Sequence, residues 1–314
     1  MLFTPVIQNA STTLYHDITE EFSQQSSKSY NDGKYSLAEL DNWRTTTLPS
    51  VVRSRWESKG ETWLEYDELT LLMDWKLAKG KFRPMLPKLI RSNAPDLVKS
   101  ATTDGFNIWL KFFTSNKTSS WADINTSDYI DAVKLSFKVV CVLKGVGPAT
   151  ASLILSLLAD INALVAPPFF SDESFLYYVV EPTRPDSKIK YNVKEYTEEL
   201  LPVYFDLMSK VDLNMTTLER GGWALKMYEM YRITKLANVK PKFDVDDDVL
   251  LKYCGIDNVE NENESENENR ENAPVKTTGR NPQQEVNQDK SGVKRESSTS
   301  SGDVNPKTKK VKLE

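Results

Sequence analysis

Apolar residues along this chain recur at helical spacing, and no run has the alternation and spacing of a sheet. Residues 1–34 are polar and read as a loose N-terminal arm. Structure is expected to begin near Ser36, a suitable N-cap before Leu37-Ala38-Glu39-Leu40. Trp43 and Trp56 then anchor two short helices, separated by Thr45-Thr46-Thr47-Leu48-Pro49. Tyr66 to Lys79 is the clearest amphipathic helix, with Leu69, Leu72, Met73, Lys76 and Leu77 on one face and Gly80 as its stop. Asp96 to Phe113 predicts further helix, broken at Gly105, before a polar loop over 116–125. Ser127 is placed to cap a helix from Asp128 to Leu143.

Two apolar runs, Val139-Val140-Cys141-Val142-Leu143 and Leu153-Ile154-Leu155-Ser156-Leu157-Leu158, are joined through Gly145-Val146-Gly147-Pro148-Ala149-Thr150. Glycines flanking one apolar residue suit a hairpin with positive φ and close backbone approach. Pro148 fits the first turn of a new helix, where its missing N–H costs nothing. The amides of Gly147, Ala149 and Thr150 then point out of a helix N-terminus, which favours an anion. Val146 is expected to plug between the two helices.

After the hairpin, Ala166-Pro167-Pro168-Phe169-Phe170 excludes helix, and Ser171 is a cap for a helix through Val180. A polar loop over 181–192 precedes a long helix from Val193 to Val211, with Pro202 as a kink. Thr216-Thr217-Leu218-Glu219 reads as a capping box opening a helix to about Leu236, in which Gly221-Gly222-Trp223 implies close packing by a neighbour. The expected fold is all-α, over residues 35–256.

From Asp257 the composition turns acidic and polar, a tail unable to bury enough surface to offset chain entropy. Lys294-Arg295 and, beyond a spacer, Lys307, Lys309, Lys310 and Lys312 resemble a bipartite nuclear localisation signal, which implies a nuclear import receptor as partner. The chain carries a net charge of −5. The tail holds 10 Lys/Arg and 12 Asp/Glu, leaving 30 against 33 in residues 1–256, a net of −3. Nucleic-acid binding must therefore use local patches and backbone amides. The densest basic segment is Lys79-Gly80-Lys81-Phe82-Arg83-Pro84, interleaved with Trp75 and Phe82 and flanked by Lys76, Lys88 and Arg91. It suits a phosphate backbone or a stacked base, or else a solvated helix end.

One histidine and two cysteines exclude a Cys/His zinc site and a four-thiolate cluster. Cys141 is expected to pack as a small hydrophobe, in a reducing compartment and without a disulfide. No signal peptide is visible at Met1-Leu2-Phe3-Thr4-Pro5, and no apolar run reaches transmembrane length, so no membrane association is expected. A monomer without cofactor or metal is expected.

The pattern Leu143-x-Gly145-Val146-Gly147-Pro148-x-Thr150-Ala151, followed by an apolar helix, resembles the helix-hairpin-helix motif of the DNA glycosylase superfamily, and the chain looks like divergent fungal members of it. The resemblance is specific over residues 127–180. It implies a hairpin that holds the DNA backbone through Gly145, Gly147, Ala149 and Thr150; the basic segment, outside the resemblance, adds Lys81 and Arg83 as candidate backbone contacts. The resemblance also implies a catalytic aspartate after the hairpin, which stabilises the cationic sugar once a nucleotide is flipped from the duplex. Asp172, beside Glu173, stands at that place, and Phe169, Phe170, Phe175 and Tyr178 are the expected base-pocket walls. Members that also cleave the strand carry a lysine where this chain has Ala149, so lyase chemistry is not expected. The spacing from hairpin to Asp172 is a few residues longer than in typical members. Two functions follow from the resemblance: a nuclear monofunctional DNA glycosylase, or a non-catalytic module binding DNA or a protein.

Overall fold

The computed structural model describes residues 3–115, 120–241, 243 and 253. All fall within the first of two units, Met1–Glu260. Among the described residues the architecture is helical, with no strand and one isolated bridge between Tyr30 and Tyr35. No described helix is long and apolar enough to cross a membrane. Residues 257–314, which include both basic clusters of the localisation signal, lie outside the described residues, as does Cys254.

Helix α1 runs as Phe3–Asn9, a wide π turn Ala10–Leu14, and Tyr15–Gln25. Helix α2 comprises Leu37–Asn42, a π turn Trp43–Thr47, and Leu48–Lys59. Then come α3 (Tyr66–Lys79), α4 (Leu86–Arg91), α5 (Pro95–Ser115) and α6 (Thr126–Val140). Helix α7 (Pro148–Leu155) continues as a tighter turn, Ser156–Asp160. Helix α8 joins Asp172–Phe175, a π turn Leu176–Val180, and Glu181–Thr183. Helix α9 joins Glu195–Leu200 to Leu201–Lys210, and α10 is Met215–Tyr231.

The N-terminal segment differs most from the sequence reading. Residues 3–25 are not a loose arm: they are helical, and Val6, Ile7, Ala10, Leu14 and Ile18 are buried. Their spacing places them on one stripe, which packs against α10. Gly221 makes the approach possible, since a Cβ there would lie 2.8 Å from Ile7 Cγ2 and 2.9 Å from its carbonyl oxygen. A Cβ at Gly222 would overlap the Tyr178 ring. The close packing expected at this glycine pair is therefore present, and its partners are α1 and α8.

Three helices hold an internal proline by one device. The residues before Pro49, Pro182 and Pro202 are Leu48, Glu181 and Leu201, and each donates its N–H to the carbonyl five residues back: Trp43, Leu176 and Tyr196. In a regular helix the proline ring would meet the carbonyl four residues back. The wider turn relieves that clash. Hence the threonine run does not separate two helices, and α8 passes beyond Val180. Gly105 likewise does not break α5; it lies against α6, where a Cβ would overlap Val140.

Caps explain the remaining differences. Ser36 forms the predicted cap, completed as a box by Glu39. Helix α6 is capped by Asn125 in place of Ser127, its Oδ1 accepting from the Ser127 N–H at 2.9 Å. Asn214 caps α10 by accepting from the Thr217 N–H at 2.9 Å, so the box at Thr216 does not form and Glu219 turns inward.

Candidate functional site

The turn between α6 and α7 reverses the chain within seven residues, Cys141 to Gly147. Gly145 takes φ +81°, and Leu89 and Ile90 of α4 stand 3.1 and 3.3 Å from where its Cβ would be. Asn93 bolts the turn in place: it accepts from the Lys144 N–H at 2.8 Å and donates Nδ2 to the Lys144 carbonyl at 3.0 Å. Val146 is buried as expected. Gly147 is extended at φ −110°, with nothing within 4 Å of a Cβ position. It therefore needs no special backbone conformation and faces open space. The Thr150 N–H is bonded to the Gly147 carbonyl at 2.9 Å, a correction to the expectation that it stays available. Among the described residues, no acceptor meets the Gly147 or Ala149 amides.

A cavity of about 230 Å³ opens beside this turn. Gly145, Gly147, Ala149 and Thr150 line one side of it, and Lys81 and Arg83 stand on the segment after α3. Asp172 and Glu173, opening α8, line the same cavity with Phe169. A dry cavity of about 150 Å³ holds benzene, so a flat ring system fits here.

The other three expected wall residues are not in the wall. Phe170 and Phe175 are 1% and 0% exposed and pack on each other with centroids 4.9 Å apart. Phe169 lines the cavity, whereas its neighbour Phe170 is buried among core residues. The Phe170 N–H donates to Ser152 Oγ at 2.9 Å. Tyr178 is buried against α10, its hydroxyl donating to the Leu218 carbonyl at 2.9 Å.

Walls and floor come from residues far apart in sequence. Trp75 packs on Phe169 with centroids 5.8 Å apart. Trp223 and Tyr15 pack together at 4.9 Å, and Lys79 Nζ lies 3.8 Å from the Trp223 ring centre. Lys79 is therefore no solvated helix end. It is buried, 3.2 Å from Asp41, whose Oδ1 also accepts from Tyr15 Oη and Trp75 Nε1, each at 2.9 Å. Burial alone would raise the Asp41 carboxyl, but Lys79 and these donors outweigh it and hold the pKa below its ordinary value. Arg44 reaches the cavity from the π turn of α2, with its guanidinium 4.9 Å over Trp75. Glu219 is 7% exposed, and burial pushes its carboxyl upward against the pull of Ser171 and Arg44. Burial pulls Lys76 down, opposed by Asp172.

Asp172 meets a specific partner. The Tyr191 hydroxyl donates to its Oδ2 at 2.6 Å, and the Arg83 guanidinium lies 4.7 Å over the Tyr191 ring. Tyr191 holds a left-handed φ of +58°, costly for a large side chain. Glu195 clamps that turn: its carboxylate accepts from the Lys190 N–H at 2.9 and 3.0 Å and pairs with Arg184 at 3.5 Å. Burial and the neighbouring Asp172 carboxylate push the Tyr191 phenol well up, so it stays a donor at neutral pH.

No protein-family model, curated protein or solved structure matches this chain.

Proposed function

We propose that the cavity receives a base flipped from duplex DNA and that the protein is a monofunctional DNA glycosylase. The carrying observation is that Asp172 lines a ring-sized cavity whose side is formed by the glycine turn. The two parts named by the resemblance, a backbone-holding turn and a carboxylate, serve one ligand. In this reading the Gly147 and Ala149 amides hold a phosphate, Lys81 and Arg83 neutralise its neighbours, and Phe169 and Trp75 flank the base. Asp172 faces the sugar and stabilises positive charge as the bond to the base breaks.

Asp172→Asn tests this. It keeps size and hydrogen-bonding reach but removes the charge, a loss on the order of 3 kcal/mol in transition-state stabilisation, about a hundredfold in rate. Release of free base is measured from duplexes bearing a panel of lesions, followed by alkaline cleavage at abasic sites. Activity in the parent that vanishes in Asp172→Asn, with duplex binding retained, supports the enzyme. A second reading, a non-catalytic DNA-binding module, draws on the Tyr191 hydroxyl already bonded to Asp172. Release from no lesion, with equal binding by both forms, would favour it.

A further inference from the structure

We propose that Glu173 is the acid of this cavity, protonating the departing base while Asp172 faces the sugar. The inference rests on the base-excision reading and adds the group which that reading lacks. When a C1′–N bond breaks, its electron pair leaves with the base. A carboxylate beside the sugar helps the forming cation and does nothing for the leaving group. A base that leaves poorly needs a proton from a second group within reach.

Asp172 and Glu173 open α8 side by side, and successive helical residues point about 100° apart. Asp172 turns to Tyr191, whose hydroxyl it accepts. Glu173 lines the cavity together with Glu219 of α10 and Lys79 of α3. The charged groups facing it are Asp172 on its own helix, Glu219 on α10, and Lys79 and Lys76 on α3. Burial, then the Asp172 and Glu219 carboxyls, raise Glu173 to about 7 against the pull of its own backbone N–H and, more weakly, of Lys79. Adjacent acids in such different surroundings take different parts in one reaction.

The step balances. The Glu173 proton passes to a ring atom of the base, the C1′–N bond breaks, and its electron pair goes to the base. Water adds its oxygen to C1′, and the proton it loses returns to the Glu173 carboxylate. No oxidant, reductant or cofactor enters.

The test compares leaving groups under single-turnover conditions. Duplexes carry each lesion base and a ring-fluorinated analogue that departs more readily as an anion. Glu173→Gln should slow release of the unactivated base on the order of 10²- to 10⁴-fold and the activated base far less. Asp172→Asn should slow both alike. The parent rate on the unactivated base should fall above about pH 7, and Glu173→Gln should lose that limb. Glu173→Asp, which restores an acid on a shorter arm, should recover part of the rate and the pH limb. Equal slowing of both bases by Glu173→Gln, or a pH limb that survives it, overturns the acid and leaves the base-excision reading standing. If the parent releases neither base, both proposals fall. A Glu173→Gln chain that does not fold shifts the comparison to Glu173→Asp, where equal slowing of both bases again overturns the acid.

Discussion

Gly145 and Gly147 stand two residues apart and do different physical work. Gly145 sits at φ +81° against α4, so a side chain there strains the backbone and crowds Leu89 and Ile90. Gly145→Ala should cost about 1–3 kcal/mol in chemical denaturation. Gly147 is extended and faces open space, so Gly147→Leu should leave stability within about 0.5 kcal/mol. If a phosphate backbone approaches there, Gly147→Leu should weaken duplex binding equally for all sequences in a gel shift. Unchanged binding by the folded variant would make the turn structural only. Glu173 gives a second prediction at this scale, independent of any substrate. Its pKa is raised in the folded state, so the folded chain holds the proton more tightly than the unfolded one. Its contribution is fully present below pH 4.5 and is lost as pH rises through about 7. At about 1.4 kcal/mol per unit, the loss is on the order of 3 kcal/mol. Glu173→Gln should therefore melt higher than the parent at pH 8 and show no such advantage at pH 4. A parent-like pH profile in Glu173→Gln would place the titration elsewhere.

At the scale of elements, α1 holds one side of the cavity. It buries Ile7 against Gly221 and carries Tyr15, whose hydroxyl joins the Asp41 site that holds Lys79. Ile7→Ala should destabilise by about 2–5 kcal/mol, because the glycine cannot move to fill the gap. A cost below about 1 kcal/mol, read from the denaturation midpoint, would mean α1 is not part of the cooperative core. This helix was hidden in the sequence by the polar residues between Val6, Ala10, Leu14 and Ile18, although their four-residue spacing was present. The glycine turn was legible because Gly145, Pro148 and their spacing act on the backbone locally. The start of a helix at Asp172 was legible from Ser171 as its cap, whereas its choice as a site residue came from the resemblance alone. Glu219 was not legible, because the capping pattern at Thr216 accounts for a glutamate equally well, and only the cap at Asn214 decides it. Arg44, Tyr191 and Trp223 reach the cavity from α2, a clamped loop and α10, and no local pattern announces such a meeting. Internal prolines misled in the other direction: rules for a regular helix place breaks at Pro49 and Pro182 where a wider turn absorbs them.

At the scale of the whole molecule, charge limits how the proposed DNA ligand would be held. Residues 1–256 carry a net of −3, so attraction to a duplex must be local. Lys81 and Arg83 line the cavity, and exposed Lys88 and Lys144 lie nearby in sequence, on the segment that follows and in the turn. Four contacts at about 0.9 counterion each give a slope of log K against log salt of roughly −3 to −4, and fewer contacts a shallower one. The basic clusters of residues 294–312 are proposed to serve nuclear import, which a fluorescent fusion lacking residues 290–314 should reveal by moving to the cytoplasm. They must then be separable from DNA binding. Salt titrations of the full chain and of a chain ending at 256 should therefore give the same slope. A full-chain slope beyond about −6 that becomes shallow on removing the tail would assign the basic clusters to DNA. A slope near zero in both would mean that phosphate neutralisation plays no part, and with it the proposed role of Lys81 and Arg83 would fall.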